Sequence, residues 1–132
     1  MALRIVRLGS PRAANEGLRI GTVRRPPRGV PKTEFAKRDF YDVWLPQLSP
    51  SLPLMKAAQA AQKSGDERDW QAFVRQFRKE LATPDAAHAL DLLSALSQQT
   101  DLAIGCYCED EAHCHRSVLR ALLSERGAKI VG

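Results

Sequence analysis

The C-terminal segment, residues 102–131, limits the folds open to this chain more than any other stretch. An apolar run from Leu102 to Cys106 predicts a buried strand, and apolar residues with helical spacing predict a helix over 114–126, closed by Gly127. A second apolar run over 128–131 predicts another strand. Strand, helix and strand in this order predict two parallel strands, because the helix returns the chain to the same end of the sheet.

Two further strands are predicted near the N-terminus. Residues Leu3–Leu8 alternate between apolar and basic side chains, which is typical of a strand with one buried face. Residues Leu18–Val23 read as a second strand, and Gly21 within it predicts a close approach of another part of the chain. Farther on, Trp44 is expected in the core, since the chain has few aromatic residues and large ones are usually buried.

The middle of the chain is predicted to be helical. Residues 54–63 have high helix propensity, Asp66 is a predicted N-cap, and Pro84 is predicted at the first position of a further helix. The resulting prediction is one α/β domain over residues 1–132, with a small, mostly parallel sheet flanked by helices and a C-terminal strand–helix–strand unit.

A cysteine-rich loop precedes the last predicted helix. All three cysteines and two of the three histidines lie between Cys106 and Arg116, and the helix is predicted to begin near Cys114 or His115. The free N–H groups of a first helical turn carry partial positive charge, so the positive charge of Arg116 is unfavourable there. An anion bound between these N–H groups and the guanidinium would remove the conflict. The same field is expected to lower the pKa of the Cys114 thiol.

A basic loop follows the second predicted strand. Residues 24–32 contain three arginines, one lysine and three prolines, and the prolines would hold the cations in place. Ligands of parallel sheets bind beyond the carboxyl ends of the strands, where this loop and the cysteine-rich loop are expected to meet. The candidate anion-binding residues are Arg24, Arg28, Arg116 and Ser117.

The leading functional hypothesis is a pocket for an anionic small molecule or phosphorylated substrate. In a thiol-dependent enzyme of this kind, Cys114 is the candidate nucleophile, with His115 beside it. No cofactor is expected, and this hypothesis assigns no metal ligand.

Simpler interpretations of the same residues stay open. Arg116 could pair with one of the acidic residues at 109–111, Cys106 could be a small buried hydrophobic residue, and His113 could be a loop residue without a special role. Alternatively, Cys108 and Cys114 could bind zinc together with His113 or His115, or the cysteines could sense redox state.

Charge and hydropathy set the expected partners. The chain has 20 basic and 15 acidic residues and a net charge of +5, which favours an anionic partner. A binding module for nucleic acid or a nucleotide, without turnover, is therefore the alternative to an enzyme. No apolar run has the length of a membrane span and no secretory signal is recognised, so no membrane partner and a cytoplasmic location are expected.

Several motifs along most of the chain resemble those of the domain-of-unknown-function 488 family, in its YeaO-like branch. The matching residues are Arg24, Pro27, Arg28, Gly29, Lys32, Asp42, Trp44, Leu45, Leu48, Pro50, Ser51, Trp70, Phe73, Glu80, Leu81, Cys114, His115 and Arg116. The resemblance implies an α/β fold and a cytoplasmic bacterial protein.

The chain departs from the YeaO-like pattern at three places. Val23 stands where that branch usually has an acidic residue, and Pro26 stands where it usually has tryptophan. Cys114-His115-Arg116 replaces an Asn-His pair and is similar to the other branch of the family. The residues that do match include both the arginine loop and the Cys-His-Arg turn, so the resemblance implies that the two together form the candidate site.

Overall fold

The fold is built on one parallel β-sheet of five strands. The computed structural model describes residues 1–132. The strands are β1 (Leu3–Arg7), β2 (Leu18–Gly21), β3 (Val43–Trp44), β4 (Leu102–Cys106) and β5 (Ile130–Val131). They lie in the order β3-β2-β4-β1-β5, and every pairing is parallel. The predicted α/β class with a parallel sheet is confirmed.

The central strand is β4, and all five of its residues are buried. Its register places Leu102 beside both Leu3 of β1 and Leu18 of β2. A parallel strand enclosed on both faces reads as an unbroken apolar run, which is why the sequence predicted it. The C-terminal strand–helix–strand unit is also confirmed, although β5 pairs with β1, so β1 lies between β4 and β5.

Four helices accompany the sheet: α1 (Leu52–Ser64), α2 (Glu67–Glu80), α3 (Pro84–Leu96) and α4 (His115–Glu125). Asp66 is confirmed as the N-cap of α2, where its carboxylate accepts a hydrogen bond from the Arg68 N–H at 2.9 Å. Pro84 occupies the first position of α3 as predicted, since its missing N–H costs nothing there. None of the four helices has the length and apolar character needed to cross a membrane.

The helices pack on one face of the sheet. Leu3, Ile20, Leu102 and Ile104 from three strands belong to the same buried cluster as apolar residues of all four helices. In α2 the contact is made by an apolar stripe with helical spacing, whose residues Trp70, Phe73 and Phe77 are buried. This layer fixes the position of α4, and therefore of the loop that joins β4 to it.

The opposite face of the sheet is covered by loops and contains a buried ion pair. Arg19, on β2, is fully buried, and its Nε donates to the Glu16 carboxylate at 2.8 Å. Its Nη1 donates to the carbonyl oxygens of Ser10 and Asp39, at 2.8 and 2.6 Å. One guanidinium therefore ties two loops to the sheet, the one before β2 and the one before β3, an arrangement that the strand pattern of 18–23 did not predict.

Two predictions concern the neighbourhood of β2 and β3: the close approach at Gly21 is confirmed, and the burial of Trp44 is wrong. A Cβ atom at Gly21 would lie 2.3 Å from Cδ2 of Tyr41, so the predicted close approach is confirmed. Trp44, expected in the core, is 42% exposed, because it lies on the two-residue edge strand β3. Its indole N–H donates to the Val23 carbonyl at 2.6 Å, which satisfies its polar atom without burying the ring.

Candidate functional site

The three cysteines meet at the carboxyl end of the central strand. Cys106 is the last residue of β4, Cys108 lies two residues beyond it, and Cys114 is the N-cap of α4. The predicted start of this helix at Cys114 or His115 is confirmed. Cys106 and Cys114 are each 1% exposed, whereas Cys108 is only partly buried. Of the three thiols, Cys108 is thus the one that a substrate can reach.

The neighbouring side chains favour the thiolate form of Cys108. Side-chain interactions with Cys106 and Cys114 lower the pKa of Cys108, and the positive charge of Arg116 acts in the same direction against the effect of burial. The pKa of Cys106 is raised, because Cys106 hydrogen-bonds to Cys108 and Cys114 and is buried. These opposite shifts favour Cys108 as the thiol of the cluster that loses its proton first.

Cys114 does not behave as its place at the helix N-terminus suggests. A hydrogen bond with Cys106 lowers the pKa of Cys114, but the hydrogen bond with Cys108, burial and the charge of Cys108 outweigh it, so the net shift is upward. The expected lowering of this pKa by the helix field is therefore wrong. A thiolate already present on Cys108 makes a second negative charge nearby unfavourable.

His115 is held behind the thiols by a main-chain oxygen. Its Nε2 donates to the Thr22 carbonyl at 2.6 Å, which leaves the lone pair of Nδ1 facing the Cys114 sulfur at 3.8 Å. Burial lowers the pKa of His115, so the ring is neutral. The structure thus brings the predicted pair Cys114 and His115 together but buries both.

Arg116 is turned inward, with an exposed fraction of 3%. Its Nη2 donates to the Cys108 carbonyl at 2.6 Å, and its Nε has no hydrogen-bond partner. Burial alone would lower the pKa of Arg116, but its interactions with the thiols of Cys106 and Cys114 raise it. The guanidinium therefore acts as the counter-charge of the thiolate cluster.

The acidic residues proposed as simple partners of Arg116 are engaged elsewhere. Glu109 lies 3.5 Å from Arg7, and Glu111 forms an ion pair with Arg120 at 2.6 Å. Asp110 caps a turn of the loop by accepting a hydrogen bond from the Ala112 N–H at 3.0 Å. These contacts stabilise the loop, and none of the three acidic residues forms an ion pair with Arg116.

A cavity of about 440 Å³ opens beside Cys108, between α1, α2 and the β4–α4 loop. Besides Cys108, its ionisable lining consists of four carboxylates and one imidazole, contributed by Asp66, Glu67, Glu109, Asp110 and His113. Trp70 forms an apolar wall. The cavity is therefore acidic, which disfavours a polyphosphate next to Cys108.

His113 belongs to this cavity, whereas the sequence suggested that it is either a loop residue without a special role or a zinc ligand. Its Nε2 lies 3.6 Å from a Glu67 oxygen and its Nδ1 lies 3.5 Å from an Asp110 oxygen. Its ring meets Trp70 edge to face, with the ring centres 5.4 Å apart. Because Glu67 and Trp70 belong to a distant helix, nothing in the order of residues 106–116 indicated this arrangement.

The candidate anion-binding residues do not form one pocket of free cations. Arg24 donates to the carbonyl oxygens of Ser49 and Pro50, both at 3.1 Å, and the Ser117 hydroxyl donates to the Cys114 carbonyl at 2.9 Å. Arg28 is exposed and lines a separate cavity with Tyr107 that contains neither Arg24 nor Arg116. The segment 106–108 separates this cavity from the one beside Cys108.

A soft metal ion could be held by the buried part of the cluster. Ligand atoms of Cys106, Cys114 and His115 all lie within 4.8 Å of one another. The hydrogen bond from Nε2 of His115 to a carbonyl is the support that metal-binding histidines usually have. This set differs from the predicted one, because it contains Cys106 and leaves His113 out.

A parallel sheet with three thiols at the carboxyl end of its central strand defines an α/β protein with a cysteine centre. Comparison with protein families then gives the particular family: the family model described as the active DUF488-N3 subclade matches residues 3–127. The chain therefore belongs to this family, which confirms the DUF488 resemblance and is consistent with the YeaO-like branch. No curated protein and no solved structure matches the chain.

Proposed function

We propose that this protein is a thiol-dependent enzyme in which Cys108 is the nucleophile. The observation that carries the proposal is that the accessible thiol of the cluster is also the one whose pKa is lowered, and that it lines a cavity with a histidine. A thiolate is the reactive form of cysteine, and a lowered pKa provides it at neutral pH. The family description, which names an active subclade, accords with a catalytic role.

In this proposal the buried residues prepare the nucleophile. The thiols of Cys106 and Cys114 lower the pKa of the neighbouring Cys108, while Arg116 and the neutral His115 lie behind it. The thiolate attacks an electrophilic carbon of the substrate, and the leaving group departs with the electron pair of the broken bond. Cys114 and His115, the predicted catalytic pair, thus act as positioning residues rather than as the attacking group.

His113 is the proposed acid and base of the reaction. It lies at the mouth of the cavity, and Glu67 and Asp110 orient its ring from both sides. It would protonate the leaving group and then activate the water that releases the covalent intermediate. The substrate that fits is small and carries little negative charge, since carboxylates line its path. A phosphorylated substrate is less favoured at this cavity.

We expect His113→Gln to separate the two halves of the reaction. With p-nitrophenyl acetate as the probe, the burst of p-nitrophenol should persist, because the thiolate does not depend on His113. The steady rate that follows should fall by roughly 10²-fold, the usual contribution of a general base. Stopped-flow absorbance measures both phases.

The matched control for this experiment is His88→Gln, at the exposed histidine of α3. This variant should leave both phases unchanged. Peptide mass spectrometry should locate the acetyl group on Cys108. An acetyl group on Cys106 or Cys114, or an unchanged steady rate in His113→Gln, would contradict the proposed roles.

A zinc centre is the second candidate, favoured by the buried trio of Cys106, Cys114 and His115. Two thiolates and an imidazole are typical zinc ligands, and Arg116 would offset their charge. Metal analysis of protein purified without an affinity tag distinguishes the candidates. One zinc per chain, lost in Cys106→Ser, would support the metal centre, and zinc-free protein with a reactive Cys108 would exclude it.

A further inference from the structure

We propose that a second pocket, distinct from the cavity beside Cys108, binds a nucleoside phosphate, with its base stacked on Trp44 and its phosphate held by the arginine loop. This Trp44 pocket lies between the edge strand β3 and the segment that connects β2 to β3, and it has a volume of about 510 Å³. Its lining consists of Pro26, Lys32, Thr33, Phe35, Ala36, Tyr41, Asp42 and Trp44. It shares no residue with the cavity beside Cys108, so the inference goes beyond the proposed enzyme function.

Trp44 offers a fixed aromatic surface. The ring is 42% exposed although its indole N–H is hydrogen-bonded to the buried Val23, so the hydrogen bond sets the ring orientation while a large part of the ring stays open. An exposed tryptophan of this kind is costly in water and stacks well on nucleic acid bases, whose flat faces all fit it.

The remaining walls suit a flat heterocycle. Phe35 and Tyr41 meet edge to face with their ring centres 5.3 Å apart, and Pro26 and Ala36 add apolar surface. The size and mainly apolar lining with a few polar groups are typical of small-molecule sites. A base can therefore lie against Trp44 with its edge toward Thr33 and Lys32.

Free cations surround this pocket. Lys32 lines it, and Arg25 and Arg28 line an adjoining cavity of about 360 Å³ that shares Pro26 with it. None of these three cations forms an ion pair or a side-chain hydrogen bond in the structure, in contrast to Arg24. A phosphate in the adjoining cavity would supply the missing partner, since guanidinium groups bind phosphate well.

The one acid in the Trp44 pocket does not oppose an anion. The Asp42 carboxylate pairs with Arg12 at 2.8 Å and accepts a hydrogen bond from the Arg19 N–H at 2.9 Å. Its pKa is lowered, chiefly by the hydrogen bond with Arg12, so its charge is present but matched. Net positive charge beside an aromatic wall identifies the ligand as a planar base joined to a phosphate, either a free nucleotide or an unpaired nucleotide of a single-stranded nucleic acid.

The test uses the four ribonucleoside 5′-monophosphates, adenosine, inorganic phosphate and a mixed-sequence DNA pentamer in calorimetric titrations of the full chain. At least one monophosphate or the pentamer should bind, with adenosine and phosphate each at least tenfold weaker, because both halves of the ligand contribute. Tighter binding of the pentamer than of every monophosphate would identify nucleic acid as the source. Absence of binding by all of these probes would overturn the proposal.

Three variants locate the site. Trp44→Leu should weaken binding by roughly tenfold or more, the usual effect of removing a stacking ring. Lys32→Glu with Arg28→Glu should do the same without touching the aromatic walls, which keeps the test valid if Trp44→Leu fails to fold. Lys37→Ala, at an exposed lysine outside the pocket, is the matched control and should bind as the native chain does. Native affinity in the Lys32→Glu, Arg28→Glu variant would contradict the assignment.

Discussion

Replacing Arg19 with methionine is expected to lower the free energy of unfolding by about 3–5 kcal/mol, the usual cost of removing one partner of a buried ion pair. Arg19 is fully buried and Glu16 is 3% exposed, so the variant would leave a carboxylate buried without its counter-charge. The hydrogen bonds to the carbonyl oxygens of Ser10 and Asp39 would be lost as well. Urea unfolding, followed by the fluorescence of the buried Trp70, measures the change.

Two further variants identify the cause of this loss. Arg38→Met removes an exposed arginine that pairs with Glu34 at 3.3 Å, and it should change the free energy of unfolding by less than about 1 kcal/mol. The double variant Arg19→Met, Glu16→Leu should be more stable than Arg19→Met alone, because no buried carboxylate is left without a partner. A double variant no more stable than the single one would show that the unpaired carboxylate is not the cause.

Replacing Cys108 with serine is expected to slow alkylation by iodoacetamide at pH 6 by at least roughly 10²-fold. A thiol with the ordinary pKa near 8.5 is less than about 1% thiolate at this pH. The thiols that remain, Cys106 and Cys114, are buried and have raised pKa values, so they should react more slowly still. Mass spectrometry of the intact protein over time gives the rate.

The neighbours of Cys108 supply matched controls for this prediction. Cys114→Ser keeps a hydrogen-bond donor beside the Cys108 sulfur, whereas Cys114→Ala removes it. We therefore expect Cys114→Ala to slow alkylation of Cys108 at pH 6 more than Cys114→Ser does. Equal rates in these two variants would mean that the hydrogen bond from Cys114 does not stabilise the thiolate.

The fold could be predicted from the sequence because its signals are local. The unbroken apolar run of β4, the stripe of α2 and the caps at Asp66 and Pro84 each depend on residues within one or two turns of chain. The strand β1 and the close approach at Gly21 could also be predicted from local signals, namely the alternation of residues 3–8 and a glycine within a strand pattern. The prediction that Trp44 is buried was wrong, because an edge strand allows a large aromatic ring to stay exposed once its N–H has a partner.

The crowding of cysteines and histidines in residues 106–116 indicated a candidate site, and the structure brings the three cysteines together there. The sequence did not indicate how these residues act on one another. The charge of Cys114, however, depends on Cys106 and Cys108 folding back onto it, and the role of His113 depends on Glu67. These contacts join residues from different elements, so the order of the side chains along the loop does not show them.

The contacts of the arginine loop could not be predicted from the sequence either. Its cations were expected to converge with Arg116, yet Arg24 binds main-chain oxygens near the start of α1 and Arg116 faces the thiols. Whether a guanidinium is free depends on which carbonyl groups the fold leaves without partners, and this is set by loop geometry far along the chain. Of the other cations of the loop, Lys32 lines the Trp44 pocket, and Arg25 and Arg28 line the adjoining cavity.

The pH dependence of alkylation at Cys108 tests most directly whether the cluster holds a thiolate at neutral pH. The native chain is treated with iodoacetamide at a series of pH values, and the labelled peptide containing Cys108 is quantified by mass spectrometry. Because the pKa of Cys108 is lowered, the rate should be nearly constant from about pH 6 to pH 9, as for other thiols of lowered pKa. A rate that rises about tenfold per pH unit up to about pH 8.5, as for an ordinary cysteine, would contradict the proposed nucleophile.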